Sequence, residues 1–199
     1  MKYLRFVYDF IIFIVFSLGI IKLIQGNYYL AFVWIILVPL LMLLPRNLYK
    51  IVKKNYKTNL VDFFEILILI LLLTSIGYTL YFKNIPIDFD SFSHIINLII
   101  YTIIFAVIYA IIDTRNYKNL NKNKVIIVAV LISLIFGIIL WEKFQYYGDQ
   151  VLGTQMYFDK FQDVKLDSML DQIFGSLGTL TGALLLYNRI DDWMKIWKK

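Results

Sequence analysis

Long apolar runs separated by short polar clusters organise this chain. Runs of roughly 17–25 mostly apolar residues are the length a helix needs to cross the hydrocarbon core of a bilayer. The pattern predicts helices over Leu4 to Ile24, Tyr28 to Leu44, Leu60 to Phe82, Phe92 to Ile112, Val125 to Trp141 and Asp167 to Tyr187. Pro39 inside the second run predicts a kink, which neighbouring groups in a membrane helix can accommodate. Lys2 and Arg5 ahead of the first run resemble a signal peptide, but the run reaches Ile24 without a small-residue cleavage site and reads as a retained helix. The polar stretch Glu142 to Leu166 is long for a bare connection and alternates aromatic with polar residues, which suggests an amphipathic or re-entrant cap.

The clusters between the runs are sorted by charge. Arg46, Lys50, Lys53, Lys54 and Lys57 carry no acid among them, and the link from Asp113 to Lys124 holds four basic residues against one acid. The region from Glu142 to Asp171 carries six acids against three lysines. Basic loops stay in the cytoplasm, so the fold class expected is all-α: a polytopic transmembrane bundle of about six helices with both termini inside. Tyr28, Tyr29, Trp141, Tyr146, Tyr147, Trp193 and Trp197 fall near run ends, where aromatic rings anchor at the membrane interface. With no fixed-period repeat and no low-complexity linker, residues 1–199 read as a single membrane-embedded domain.

Composition narrows the function classes. Of 199 residues, 60% are hydrophobic and 17% charged, and the mean hydropathy of +0.71 is too apolar for an ordinary soluble domain. Cysteine is absent, which removes disulfides, thiolate metal sites and cysteine nucleophiles. The net charge of +6 sits beside the membrane runs, so the expected partners are membrane lipids rather than nucleic acid; the oligomeric state is open. Heavy use of Ile, Lys, Asn and Tyr suggests an AT-rich prokaryotic genome, hence a multi-pass protein of a prokaryotic inner membrane.

Charge inside a bilayer costs at least ~2.5–3.5 kcal/mol at the helix centre, so deep polar residues call for an explanation. On the cytoplasmic side the expectations are structural. Asp9 is four residues from Arg5 and reads as its ion-pair partner, Lys22 snorkels, and Asp62 and Glu65 complement a helix N-terminus and face the basic link. On the outer side three pairs share helix faces: Asp90 with His94, Glu142 with Gln145, and Asp167 with Asp171. Asn97 and Tyr101 continue the His94 face. Two aspartates four apart repel, so Asp167 and Asp171 call for a cation, a shared proton or donors from another helix. His94 is the single histidine; a divalent metal, if present, would use His94, Glu142, Asp167 and Asp171. The alternative is a satisfied hydrogen-bond network that locks helices together. Gly175, Gly178 and Gly182 on the last helix, two of them in GxxxG spacing, let a neighbour approach closely. No nucleophile elbow, phosphate-binding glycine loop or HExxH is present.

Leu152-Gly153-Thr154-Gln155, then Asp167-Ser168-x-x-Asp171, then Gly178 resemble the YjdF-type inner-membrane proteins, and Asp90-x-x-x-His94 with Trp141-Glu142 is similar to that family's Asp/His and Glu-Trp neighbourhoods. More broadly the pattern resembles VanZ-like membrane proteins, which are associated with glycopeptide resistance. The resemblance spans residues 88 to 188, with Ser168 where threonine is usual and no glycine after His94. It implies where a site lies rather than a reaction: a polar, acidic pocket of Asp90, His94, Glu142, Gln145, Gln155, Asp167 and Asp171 at the extracytoplasmic boundary. Three functions fit such a pocket. One is binding of a lipid headgroup or other amphiphile, the second a metal-dependent hydrolase or transferase, the third a small transporter. Against the last, no paired broken helices or inverted repeat is seen.

Overall fold

A computed structural model describes residues 2–77, 89–116, 120–152 and 163–199. Among the described residues the chain is helical apart from short turns and one isolated β-bridge. Six continuous helices follow in order: α1 (Lys2–Ile24), α2 (residues 28–52), α3 (Asn59–Gly77), α4 (Phe89–Asn116), α5 (residues 122–152) and α6 (Val164–Trp197). Five of them contain stretches long and apolar enough to cross a membrane: Arg5–Ile24, Val33–Val52, Ser91–Thr114, Lys122–Gly148 and Lys165–Trp197. The remaining expected span, Leu60 to Phe82, is described only as far as Gly77, where it forms α3.

Several helices outrun their apolar runs. α2 does not stop at Leu44 but continues through Pro45 to Val52. A proline in a helix removes one backbone donor and crowds the carbonyl four residues back. Pro39 meets that cost just after a wide π-turn, Val33–Leu37. α5 runs on to Leu152, and α6 spans Val164 to Trp197 rather than Asp167 to Tyr187. Much of the segment expected to be a cap is therefore helix; residues 153–162 lie outside the described residues, and Gln155 with them.

The described residues fall into two compact units, residues 1–70 with 196–199, and residues 71–195. In the first unit, Gly26 at φ 76° turns the chain after α1, the left-handed conformation a glycine supplies without strain. α2 then returns antiparallel along α1: Gly19 lies against Ile35, and the buried Tyr8 hydroxyl donates to the Met42 carbonyl at 2.8 Å. Arg46 joins three helices. Its Nη1 lies 2.6 Å from Asp9 Oδ1 on α1, and its Nε lies 2.6 Å from Glu65 Oε1 on α3. Asp9 thus pairs across helices with Arg46 instead of with Arg5 one turn away, and Arg5 lies 3.7 Å from Asp62. Trp197 is buried on the ring of Phe63, centroids 4.6 Å apart, and does not serve as an exposed anchor. The adjoining backbone carries the β-bridge between Tyr56 and Lys198.

In the second unit, α4, α5 and α6 pack through glycines. Gly178 faces the backbone of Ile95, and Gly182 faces Ile99 and Thr102. This register makes α6 parallel to α4. Gly137 of α5 faces Leu98 of α4, and Gly175 of α6 faces Ile138 of α5. Outward positions such as Ile127, Leu131, Phe136, Leu177, Leu180 and Leu184 are exposed and apolar, the surface lipid chains would solvate.

Candidate functional site

The first turns of α4 and α6 and the last third of α5 come together at one end of the second unit. His94 lies five residues into α4, Asp171 seven into α6, and Glu142 twenty beyond the start of α5. At ~1.5 Å per residue those twenty residues span ~30 Å, the thickness of a bilayer core. The opposite end of the unit carries the basic groups, with Lys122 4.0 Å from Asp191 and Lys124 3.7 Å from Asp113.

Glu142 reaches the buried side because α5 is not a regular helix. Val125, Ala129 and Ser133 form its buried stripe. From Ser133, nine residues at ~100° each would place Glu142 about half a turn away, on the outer face. The π-turn Ile135–Leu140 intervenes. A wider turn holds about one extra residue and takes back roughly 100° of that rotation. Gly137 and Ile138 are buried within this turn, and Glu142 follows them inward. Deleting one residue between Ile135 and Leu140 is expected to turn Glu142 outward by ~100°. A cysteine at 142 in that deletion variant would then react with a lipid-soluble thiol reagent that leaves it unlabelled in the full-length chain.

His94, Glu142 and Asp171 are 7%, 9% and 6% exposed. Each offers a donor atom, and the three atoms lie within 4.8 Å of one another. His94 Nε2 is 3.5 Å from Asp171 Oδ2. Ser168, one turn before Asp171, donates its hydroxyl to Glu142 Oε2 at 2.7 Å, and Gln172 Nε2 donates to the Ser168 oxygen at 3.3 Å. Two carboxylates held so close in a buried volume repel each other, and a proton or a cation shared with the imidazole is one way to offset that repulsion.

The other expected residues sit around this triad. Asp167 and Gln145, each half-buried, lie one turn from Asp171 and Glu142 on their helices and are not among the three converging donors. Asp90 belongs to the first turn of α4, its side chain outside the described residues. Asn97 turns toward α3, where its Oδ1 lies 2.7 Å from the Thr74 hydroxyl. Sequence reasoning assigned no role to Ser168 and Gln172. Their positions one residue past Asp167 and Asp171 place them on the adjacent helix face, the signal that could have marked them.

Fold and charge pattern define an integral membrane protein of several apolar helices. Over residues 6–192 the chain matches the family described as "Predicted membrane protein (DUF2238)", and it belongs to that family. The YjdF-type resemblance is consistent with this membership, whereas the VanZ-like one is not shown by it. No curated protein and no solved structure matches the chain.

Proposed function

We propose that this membrane protein binds the headgroup of an amphiphile at the extracytoplasmic boundary of a prokaryotic cell membrane. The convergence of His94, Glu142 and Asp171, buried on three helices at one end of the second unit, carries the reading. The positive-inside rule assigns that end to the outer surface, since the basic links lie at the other. Groups at this depth meet headgroups rather than lipid tails. Burial makes each polar contact worth more than it would be in water, and the Ser168–Glu142 hydrogen bond holds one carboxylate in a fixed orientation.

The test is native mass spectrometry of the detergent-purified protein with phosphatidylethanolamine and phosphatidylglycerol. The wild type is expected to retain a single lipid, and Asp171→Asn and His94→Ala to weaken retention about tenfold or more, equivalent to ~1.4 kcal/mol or more. Wild-type retention by both variants, with helix content intact, would overturn the reading.

A further inference from the structure

We infer that His94, Glu142 and Asp171 form a binding site for a divalent transition metal of the Zn²⁺ class. The inference deepens the headgroup reading and rests on it for the role of the ion. Three features of the triad favour a metal over a simple hydrogen-bond network.

The first is the donor set. One imidazole and two carboxylates from separate helices supply nitrogen and oxygen ligands, and three protein donors with a fourth position open is the arrangement of a Zn²⁺ site that accepts an exchangeable ligand. Mg²⁺ and Ca²⁺ ask for six or more oxygens and have little use for an imidazole.

The second is spacing. Tetrahedral Zn²⁺ with bonds of ~2.0–2.1 Å sets its ligands about 3.4 Å apart. His94 Nε2 and Asp171 Oδ2 are already 3.5 Å apart. The three donors lie within 4.8 Å of one another, so small side-chain rotations of roughly 1 Å complete the geometry.

The third is the surrounding shell. Carboxylates that ligate metals are held by outer hydrogen bonds. Ser168 supplies one to Glu142 Oε2, and Gln172 supports Ser168 in turn. A dication would also balance the like charges of two carboxylates held close together in a buried site. The same ion reconciles an acidic site with a phosphate-bearing headgroup. The triad by itself repels a phosphate, whereas a metal with an open position accepts a phosphate oxygen as its fourth ligand.

The experiment uses the full chain in detergent, stripped with a chelator and titrated calorimetrically with Zn²⁺ alone, with Mg²⁺ as the control. One Zn²⁺ per chain is expected, with little heat from Mg²⁺. Glu142→Gln, which keeps the side-chain shape, and His94→Ala should each weaken Zn²⁺ binding about a hundredfold or more. Ser168→Ala should weaken it about tenfold, as loss of an outer-shell partner does. Circular dichroism confirms that each variant keeps its helices. Absence of saturable one-per-chain uptake, or wild-type affinity in Glu142→Gln and His94→Ala, overturns the inference. Lipid retention measured on the chelated protein separates the two readings. Retention without metal leaves headgroup binding standing and removes the ion from it. Zn²⁺ uptake with no lipid retention at any metal loading does the reverse.

Discussion

Replacing Arg46 with methionine is expected to destabilise the folded protein by roughly 3–5 kcal/mol, the cost of leaving one half of a buried ion pair behind. Glu65 is 0% exposed, and Arg46 Nε at 2.6 Å is its ion-pair contact. Its other oxygen, Oε2, is buried with no hydrogen-bond partner, so loss of the guanidinium strands a carboxylate. Arg46 also lies over the Tyr8 ring, 5.4 Å from the centroid. Methionine keeps much of that packing, so the variant isolates the charge. Asp9 is the contrast. Its side chain is 56% exposed, and Asp9→Asn should cost under ~1 kcal/mol because water screens an exposed pair. The double variant Arg46→Met/Glu65→Leu should recover most of the loss, since an apolar pair replaces a buried ionic one at little cost. Denaturant unfolding in detergent reads all four proteins. An Arg46→Met midpoint equal to the wild type would show that the guanidinium does not hold Glu65.

This cluster marks where the sequence stopped being informative. Helix identity was legible because a bilayer demands long apolar runs, and those runs stand out without reference to any partner. The charge at each link was legible for the same reason. The partner of Asp9 was not. Local spacing favoured Arg5 four residues away, but Arg46, far along the chain, sits 2.6 Å from Asp9 while also meeting Glu65. One guanidinium serving two carboxylates outweighs a single exposed i, i+4 pair, which is worth only a few tenths of a kcal/mol. Helix ends were missed where polar residues continue a helix beyond the apolar run. Glu142 to Leu152 reads as loop by hydropathy yet extends α5 by three turns. Its alternating aromatic and polar residues point to an amphipathic segment, but the pattern alone does not say that the segment continues α5 without a break.

The polar triad was partly legible. His94, Glu142 and Asp171 stood out as ionisable groups close to run ends, and spacing along each helix named their neighbours. Which neighbour turns inward depends on the rotation of each helix about its axis. In α5 the π-turn sets that rotation. Without it the same sequence would aim Glu142 at lipid, and nothing in Ile135-Phe136-Gly137-Ile138 marks a wide turn apart from the glycine beneath Leu98. Asp167 illustrates the limit. It shares a face with Asp171, but the structure gathers only the deeper of the two with His94 and Glu142.

Gly178→Ala should be the most damaging of the glycine replacements on α6, and the reason is the kind of atom each new methyl would meet. At Gly178 it would run into the Ile95 carbonyl oxygen, the nearest atom, with the Ile95 carbonyl carbon and Cα behind it at 3.0 Å. Backbone cannot rotate aside, so the two helices must separate. At Gly182 the methyl meets Thr102 Cβ at 3.0 Å and the Ile99 carbonyl at 3.1 Å, a tight but smaller intrusion. At Gly175 it meets the end of the flexible Ile138 side chain at 3.2 Å, which can shift by a few tenths of an ångström. The expected order of destabilisation is therefore Gly178, then Gly182, then Gly175, with Gly178→Ala at the upper end of the ~1–3 kcal/mol typical of overpacking and Gly178→Val beyond it. Unfolding midpoints in detergent give the order directly, and equal midpoints for Gly178→Val and the wild type would exclude close packing of α6 on α4. The consequence reaches the triad, because Ile95 follows His94 and Gly178 lies two turns past Asp171. Driving α6 away from α4 lengthens the 3.5 Å approach of His94 to Asp171, so Gly178→Ala should also loosen whatever the triad binds, though it touches none of its three side chains.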